Sequence, residues 1–130
     1  MNKLINQEQL NRSLDVIASF VSKKDFDDID WNDNTVRSVR MAEQVITTAN
    51  RIESMPSTIE QSGKGDDAIA FVSYLDPNSE KRWYVTEKDT DDGQFQVFGA
   101  MKQDNDSDLI TGIIPLQEVL AKNYYLDLNF

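Results

Sequence analysis

The hydrophobic period of this chain changes once, near residue 68, and that change limits the fold more than any other feature. Before it, apolar residues recur every third or fourth position. Leu10, Leu14, Ile17, Ala18 and Val21 form one stripe, which predicts a helix over 7–23. Asn6 is placed to cap it, with Gln9 three residues on as in a capping box, and Lys23 and Lys24 stand where positive charge suits the helix dipole. Val39, Ala42, Ile46, Ala49 and Ile52 predict a second helix over 35–54, capped by Asn34 and stopped before Pro56.

Residues 56–67, with Pro56, Ser57, Ser62, Gly63 and Gly65, sustain no period and read as a linker. Beyond it the pattern is that of strands. Ala68–Leu75 is nearly all apolar, Arg82–Glu87 carries Trp83, Tyr84 and Val85, and Gln94–Met101 alternates as Phe95, Val97, Gly99 and Met101. Asp76-Pro77-Asn78-Ser79 and Asp91-Asp92-Gly93 supply turn chemistry short enough for antiparallel hairpins. Leu109–Ile114 reads as a fourth strand, Pro115–Lys122 as a short helix and Tyr124–Phe130 as a fifth strand. The expectation is a single α+β domain over 1–130. Its helical arm (1–55) packs two helices on one face of a four- or five-stranded antiparallel sheet (68–130), with a short helix before the last strand.

Composition closes off much chemistry. With no cysteine and no histidine in 130 residues, disulfide scaffolds, thiol nucleophiles, imidazole-based catalysis and nitrogen or sulfur zinc sites are excluded. A net charge of -10 disfavours binding to nucleic-acid phosphates or anionic lipid. Residues 1–65 hold 10 acids against 8 bases, whereas 66–130 hold 13 against 5, so the sheet half is the acidic half. No stretch approaches the roughly 18 apolar residues of a membrane span, and the N-terminus lacks an apolar signal core, so a cytoplasmic location is expected.

Three acidic clusters invite a functional reading. Asp25–Asp33 mixes five aspartates with Phe26, Ile29 and Trp31. As a calcium loop starting at Asp28 it offers Asp30 and Asn32, but Asp33 stands where glycine is needed and Val39 where a bidentate glutamate is needed. It reads instead either as a docking segment, with Phe26, Asp28, Ile29, Asp30 and Trp31 meeting a partner groove rimmed by bases, or as an interhelical loop whose apolar residues fold back on the core. Asp104, Asp106 and Asp108 also lack the glycine and read as a solvated hairpin loop. Glu87, Asp89, Asp91 and Asp92 cluster beside a strand and complete the set of expected partner-binding residues. Trp83 reads as a core anchor, and Glu87, on its face, either as the wet end of the strand or as a buried polar group with a purpose. Gly99 within a strand points to a bulge or a close backbone approach. Carboxylate pairs such as Glu87 with Asp127, or Tyr84 as a proton donor, are what a catalyst here would have to use, and no phosphate loop or nucleophile elbow accompanies them. No cofactor or metal site is expected.

Residues 66–130 also resemble an uncharacterised bacterial domain family of short proteins borne on plasmids, integrative elements and phages. The landmarks are the lead-in Ala68-Ile69-Ala70-Phe71-Val72, the segment Trp83-Tyr84-Val85-Thr86-Glu87, Phe98-Gly99, Gly112 followed by Leu116-Gln117-Glu118, and Leu126-Asp127-Leu128-Asn129-Phe130. Pro115 replaces the family's usual serine, Leu126 stands where a basic residue is common, and residues 1–55 lie outside the resemblance. The resemblance implies an accessory protein of a mobile element. It leads to the expectation of a non-enzymatic, acidic interaction protein that antagonises or modulates a host defence or DNA-processing protein. Two alternatives stand beside it: a DNA mimic filling a basic cleft, and a small carboxylate-based or metal-dependent enzyme.

Overall fold

The computed structural model describes residues 6–22, 26, 29–31, 35–56, 69–89, 94, 97–122, 124–128 and 130. Helix α1 spans Gln7–Ile17. Asn6 caps it, its side-chain oxygen accepting from the Gln9 N–H at 3.1 Å. The helix ends before the expected residue 23, because Ala18–Phe20 tighten into a 3₁₀ turn and Val21 is already extended. That turn buries Phe20 and presents its carbonyl to the Tyr74 hydroxyl, a bond an unbroken helix would have kept for itself. Lys23 and Lys24 lie outside the described residues.

Helix α2 spans Val36–Ser54. Its cap is Thr35, whose hydroxyl accepts from the Ser38 N–H at 3.2 Å, rather than Asn34, which lies outside the described residues. It stops at Met55, extended as a residue preceding proline must be. The buried face runs through Ala42, Val45, Ala49 and Ile52, so Val45 rather than Ile46 points inward. Ala42, Ala49 and Ile52 keep their expected places, and Val45 takes that of Ile46 where α2 packs against α1 as well as the sheet.

The sheet holds β1 (Val72–Leu75), β2 (Arg82–Glu87), β3 (Val97–Lys102), β4 (Ile110–Ile114) and β5 (Tyr125–Leu126), in the order β4-β3-β2-β1-β5 and antiparallel throughout. β1 to β4 form a meander; α3 (Leu116–Ala121) then carries the chain across to β5 beside β1. Several strands are shorter than expected. β1 begins at Val72 rather than residue 68, with Ile69 61% exposed. β3 begins at Val97 rather than 94, because Gln94 is a corner with φ 55°. β5 ends at Leu126 because the chain turns at Asp127, whose carbonyl accepts from Phe130 N–H.

One face of the sheet carries the in-register rows Tyr74, Trp83, Met101, Ile110 and Val72, Val85, Gly99, Gly112, closed by the Val97 and Ile114 pair. Val72, Tyr74, Val85, Val97 and Ile114 of this face join Leu10, Ile17, Val45 and Ile52 of the helices, and Leu116 and Val119 of α3, in a single buried cluster, while Ile110 at the edge is exposed. Burial of this apolar surface is the main stabilising term. Trp83 packs at the rim of that cluster, edge-on to Tyr124 with ring centroids 6.1 Å apart. The opposite face carries the row Ser73, Tyr84, Ala100, Thr111, with the Phe130 ring 6.1 Å from Tyr84 and Arg82 paired with Asp127 at 3.6 Å.

Gly99 is the expected close approach. A Cβ there would lie 1.9 Å from the Tyr84 carbonyl oxygen. Glu87 does not mark a wet strand end: it is fully buried, the other of its two readings. Two features cause this. The register slips between Val85 and Glu87, a bulge that breaks simple alternation. The exit of α2 then covers the strand end, Pro56 accepting from the Lys88 N–H at 2.9 Å.

Candidate functional site

The acidic-aromatic segment is described at Phe26, Ile29, Asp30 and Trp31; Asp28 lies outside the described residues. Phe26 and Trp31 are half-buried against the core, their rings 6.1 Å apart and tilted. A turn sets them, Ile29 N–H donating to the Phe26 carbonyl at 3.2 Å, and Gln7 of α1 donates to the Trp31 carbonyl at 3.1 Å. The apolar side chains of this segment therefore already have intramolecular company, while Asp30 is exposed.

At the far end of β2 the structure brings Lys88, Asp89 and Gln94 together; Asp91 and Asp92 lie outside the described residues. The Gln94 amide closes a ring with Asp89, accepting from its N–H at 2.8 Å and donating to its carbonyl at 3.2 Å. This paired bonding holds Gln94 in its left-handed conformation, which is uncommon for a residue with a side chain. Lys88 donates to the Ile52 carbonyl at 3.2 Å, a favourable partner for a cation because that carbonyl sits in the last turn of α2. Beside these residues an open groove of about 730 Å³ runs between α1 and the end of α2, with Asp15, Ser19, Glu53, Lys88 and Asp89 on its walls. Among the described residues no group of three or more acidic side chains is arranged to hold a metal ion. Glu87 lies behind the groove, sealed from solvent, and Asp127 is taken up by Arg82.

A third cluster forms at the opposite end of the sheet, about 17–20 Å along β2 from Glu87. In an antiparallel meander, alternate turns fall at the same end, so the β1–β2 turn (76–81) and the β3–β4 turn (103–109) become neighbours. Asn105 N–H donates to the Glu80 carboxylate at 3.1 Å and ties them together. Asp76, Glu80, Asp104, Asp106 and Asp108 meet here, with Glu80, Asp106 and Asp108 exposed. Asp76 accepts from the Asn78 N–H at 2.9 Å and the Ser79 hydroxyl at 2.7 Å. Asp104 accepts from the Ser107 hydroxyl and the Asp106 N–H, both at 2.9 Å. Bonds to the charged form hold each carboxyl below its ordinary 3.8: at Asp76 the Asn78 backbone bond leads, at Asp104 the Ser107 hydroxyl.

Bases stand near both turns, Lys81 acting on the Asp76 carboxylate and Lys102 on that of Asp104. Lys81 lies 5.3 Å from the Trp83 ring centroid and 6.0 Å from that of Tyr124, a cation-π arrangement, and Arg82 faces Asp127. In the sequence, Asp76–Ser79 reads as a hairpin turn and Asp104, Asp106 and Asp108 as a solvated hairpin loop, with nothing to join them. The signal that joins them is strand parity, which needs the topology and not the residues. No protein-family model matches the chain, no curated protein matches it in sequence, and no solved structure matches its fold.

Proposed function

We propose that this chain is a non-enzymatic, acidic interaction protein that binds a basic partner through the sheet end built from Asp76, Glu80, Asp104, Asp106 and Asp108. The observation that carries the reading is the convergence of two acidic turns, fixed by the Asn105–Glu80 bond. Carboxylates preorganised on short turns attract a basic surface at long range and lose little freedom on binding it. The family resemblance of 66–130 supports placing the protein on a mobile element, where antagonism or modulation of a host defence or DNA-processing protein is the natural role. The segment at Phe26, Ile29 and Trp31 and the groove beside Lys88 and Asp89 remain secondary contact surfaces in this proposal.

The test is capture of proteins from nuclease-treated bacterial lysate on the tagged chain, across a salt series, with Asp106→Lys/Asp108→Lys as the comparison. A partner retained by the natural chain, released as salt rises and lost with the double variant supports the reading. Equal capture by both chains overturns it. Competition by duplex DNA for the captured protein would identify the DNA-mimic form of the same interaction.

A further inference from the structure

We propose that β4 is a docking edge that takes up an extended segment of a partner chain, with aliphatic residues at alternate positions and lysines or arginines flanking them. This inference rests on the acidic sheet end proposed above and names the form of the partner that meets it.

β4 is the terminal strand of the sheet and pairs, among the described residues, with β3 alone. Among the described residues no strand lies along its other edge, whose main-chain N–H and C=O groups are the template to which an added strand bonds. Natural sheets blunt such an edge with lysine, proline or an inward charge. From Leu109 to Ile114 there is none of these. Instead Leu109 is 43% exposed, Ile110 61% and Ile113 59%. Ile110 lies in the row of Trp83 and Met101, whereas Ile113 pairs with Phe98 on the other face, so both faces of the edge offer apolar contact to alternating side chains. Gly112, between them, has nothing within 4 Å of where a Cβ would stand, so the sheet face beside this edge is open there.

The ends of the edge define the charge of the occupant. The chain enters β4 from Asp104, Asp106 and Asp108, with Glu80 bonded alongside, so basic residues at one end of an added segment would meet four carboxylates. A second copy of this chain fits poorly. Two chains of net charge -10 repel, and neither brings a basic flank to the other's acidic turn.

The test is selection of a random twelve-residue peptide library on the natural chain, with counter-selection on Ile113→Lys. Enriched peptides should carry alternating aliphatic residues with a basic flank and should protect β4 amides from hydrogen exchange. Their binding should fall at least about tenfold with Ile113→Lys or Ile110→Lys, and a few-fold, salt-dependently, with Asp106→Asn/Asp108→Asn. Both isoleucines are largely exposed, so the lysine variants keep the fold, which circular dichroism verifies. The proposal is overturned if nothing is enriched, if the enriched peptides protect amides elsewhere, or if the natural chain sediments as a dimer that Ile113→Lys dissociates. If Asp106→Lys/Asp108→Lys abolishes lysate capture while Ile113→Lys does not, the acidic-surface reading stands and the strand-docking one falls.

Discussion

Replacing Gly99 with alanine isolates the tightest contact in the sheet. The added carbon would sit 1.9 Å from the Tyr84 carbonyl oxygen, 2.9 Å from the Ile114 Cδ1 and 3.0 Å from the Tyr84 carbonyl carbon. Carbon and oxygen approach no closer than about 3.3 Å, so β2 and β3 must part locally by about 1.4 Å. Ladder hydrogen bonds tolerate only a few tenths of an ångström, so about two of them fail, at about 1 kcal/mol each. Overpacking strain adds about 1–3 kcal/mol. The sum, about 3–5 kcal/mol, is a large part of the stability of an ordinary domain. In urea unfolding of the full chain, a slope of about 1.5 kcal/mol per molar converts it to a midpoint about 2–3 M lower.

Gly112, the cross-strand partner of Gly99, is the control. Its Cβ would meet open space, but its φ of +157° strains any side chain, so Gly112→Ala should cost only about 1–2 kcal/mol. Shortening Ile114 to valine should not rescue Gly99→Ala, because the closest obstacle is backbone. A Gly99→Ala midpoint within about 0.5 M of the natural chain, or a larger loss at Gly112, would refute this account of the β2–β3 contact.

Other measurements bear on separate parts of the structure. Tyr74→Phe, which leaves the buried Phe20 carbonyl without its hydroxyl donor, should lower stability by about 1–2 kcal/mol in the same assay; no change would show that carbonyl finding another partner. The buried Trp83 Nε1 has no hydrogen-bond partner among the described residues, so in Trp83→Phe the lost apolar area is offset by removing an unmet donor. The net change should be under about 1 kcal/mol, and a loss above about 2 would mean that the indole N–H is satisfied in solution. Asp76→Ala and Asp104→Ala should each destabilise at neutral pH. Because both folded carboxyls titrate below 3.8, the stabilisation is present above that value and is lost as pH falls through the folded pKa. A stability difference from the natural chain that persists unchanged well below pH 3.8 would contradict the assigned bonds.

The sequence and structure agree where a local cause fixes the outcome. Arg82–Glu87 forms a strand with the expected bounds, Asn6 caps the first helix, and Pro56 stops the second. Each rests on propensity or on one steric clash, and neither needs distant partners. The disagreements come from partners far along the chain. Glu87 looks like a strand terminus until Pro56 covers it, and Val45 outranks Ile46 only because α2 has two neighbours. Gln94 fits an alternating pattern, yet its side chain takes both polar groups of Asp89 and turns a corner. The candidate site follows the same division. Asp76 and Asp104 are recognisable as turn residues, but their meeting is a property of strand order.

That meeting has an energetic consequence for how the acidic end can be used. Five carboxylates on two adjacent turns repel, and a chain free to do so would spread them. Here the turns cannot spread, because each is closed by its own aspartate and the pair is joined through Asn105 and Glu80. Lys81 and Lys102 offset only part of that repulsion, and Lys81 also lies over the Trp83 and Tyr124 rings. The fold thus holds negative charge in place at the head of an uncharged, apolar edge strand, so a basic partner would relieve repulsion that the isolated protein sustains. Neutralising Asp106 and Asp108, whose side chains do not close the turn, should then raise rather than lower the stability of the free chain while weakening its hold on the partner. A stability–binding trade of that sign marks a surface kept for recognition, and a solvated loop with no such use would show neither change.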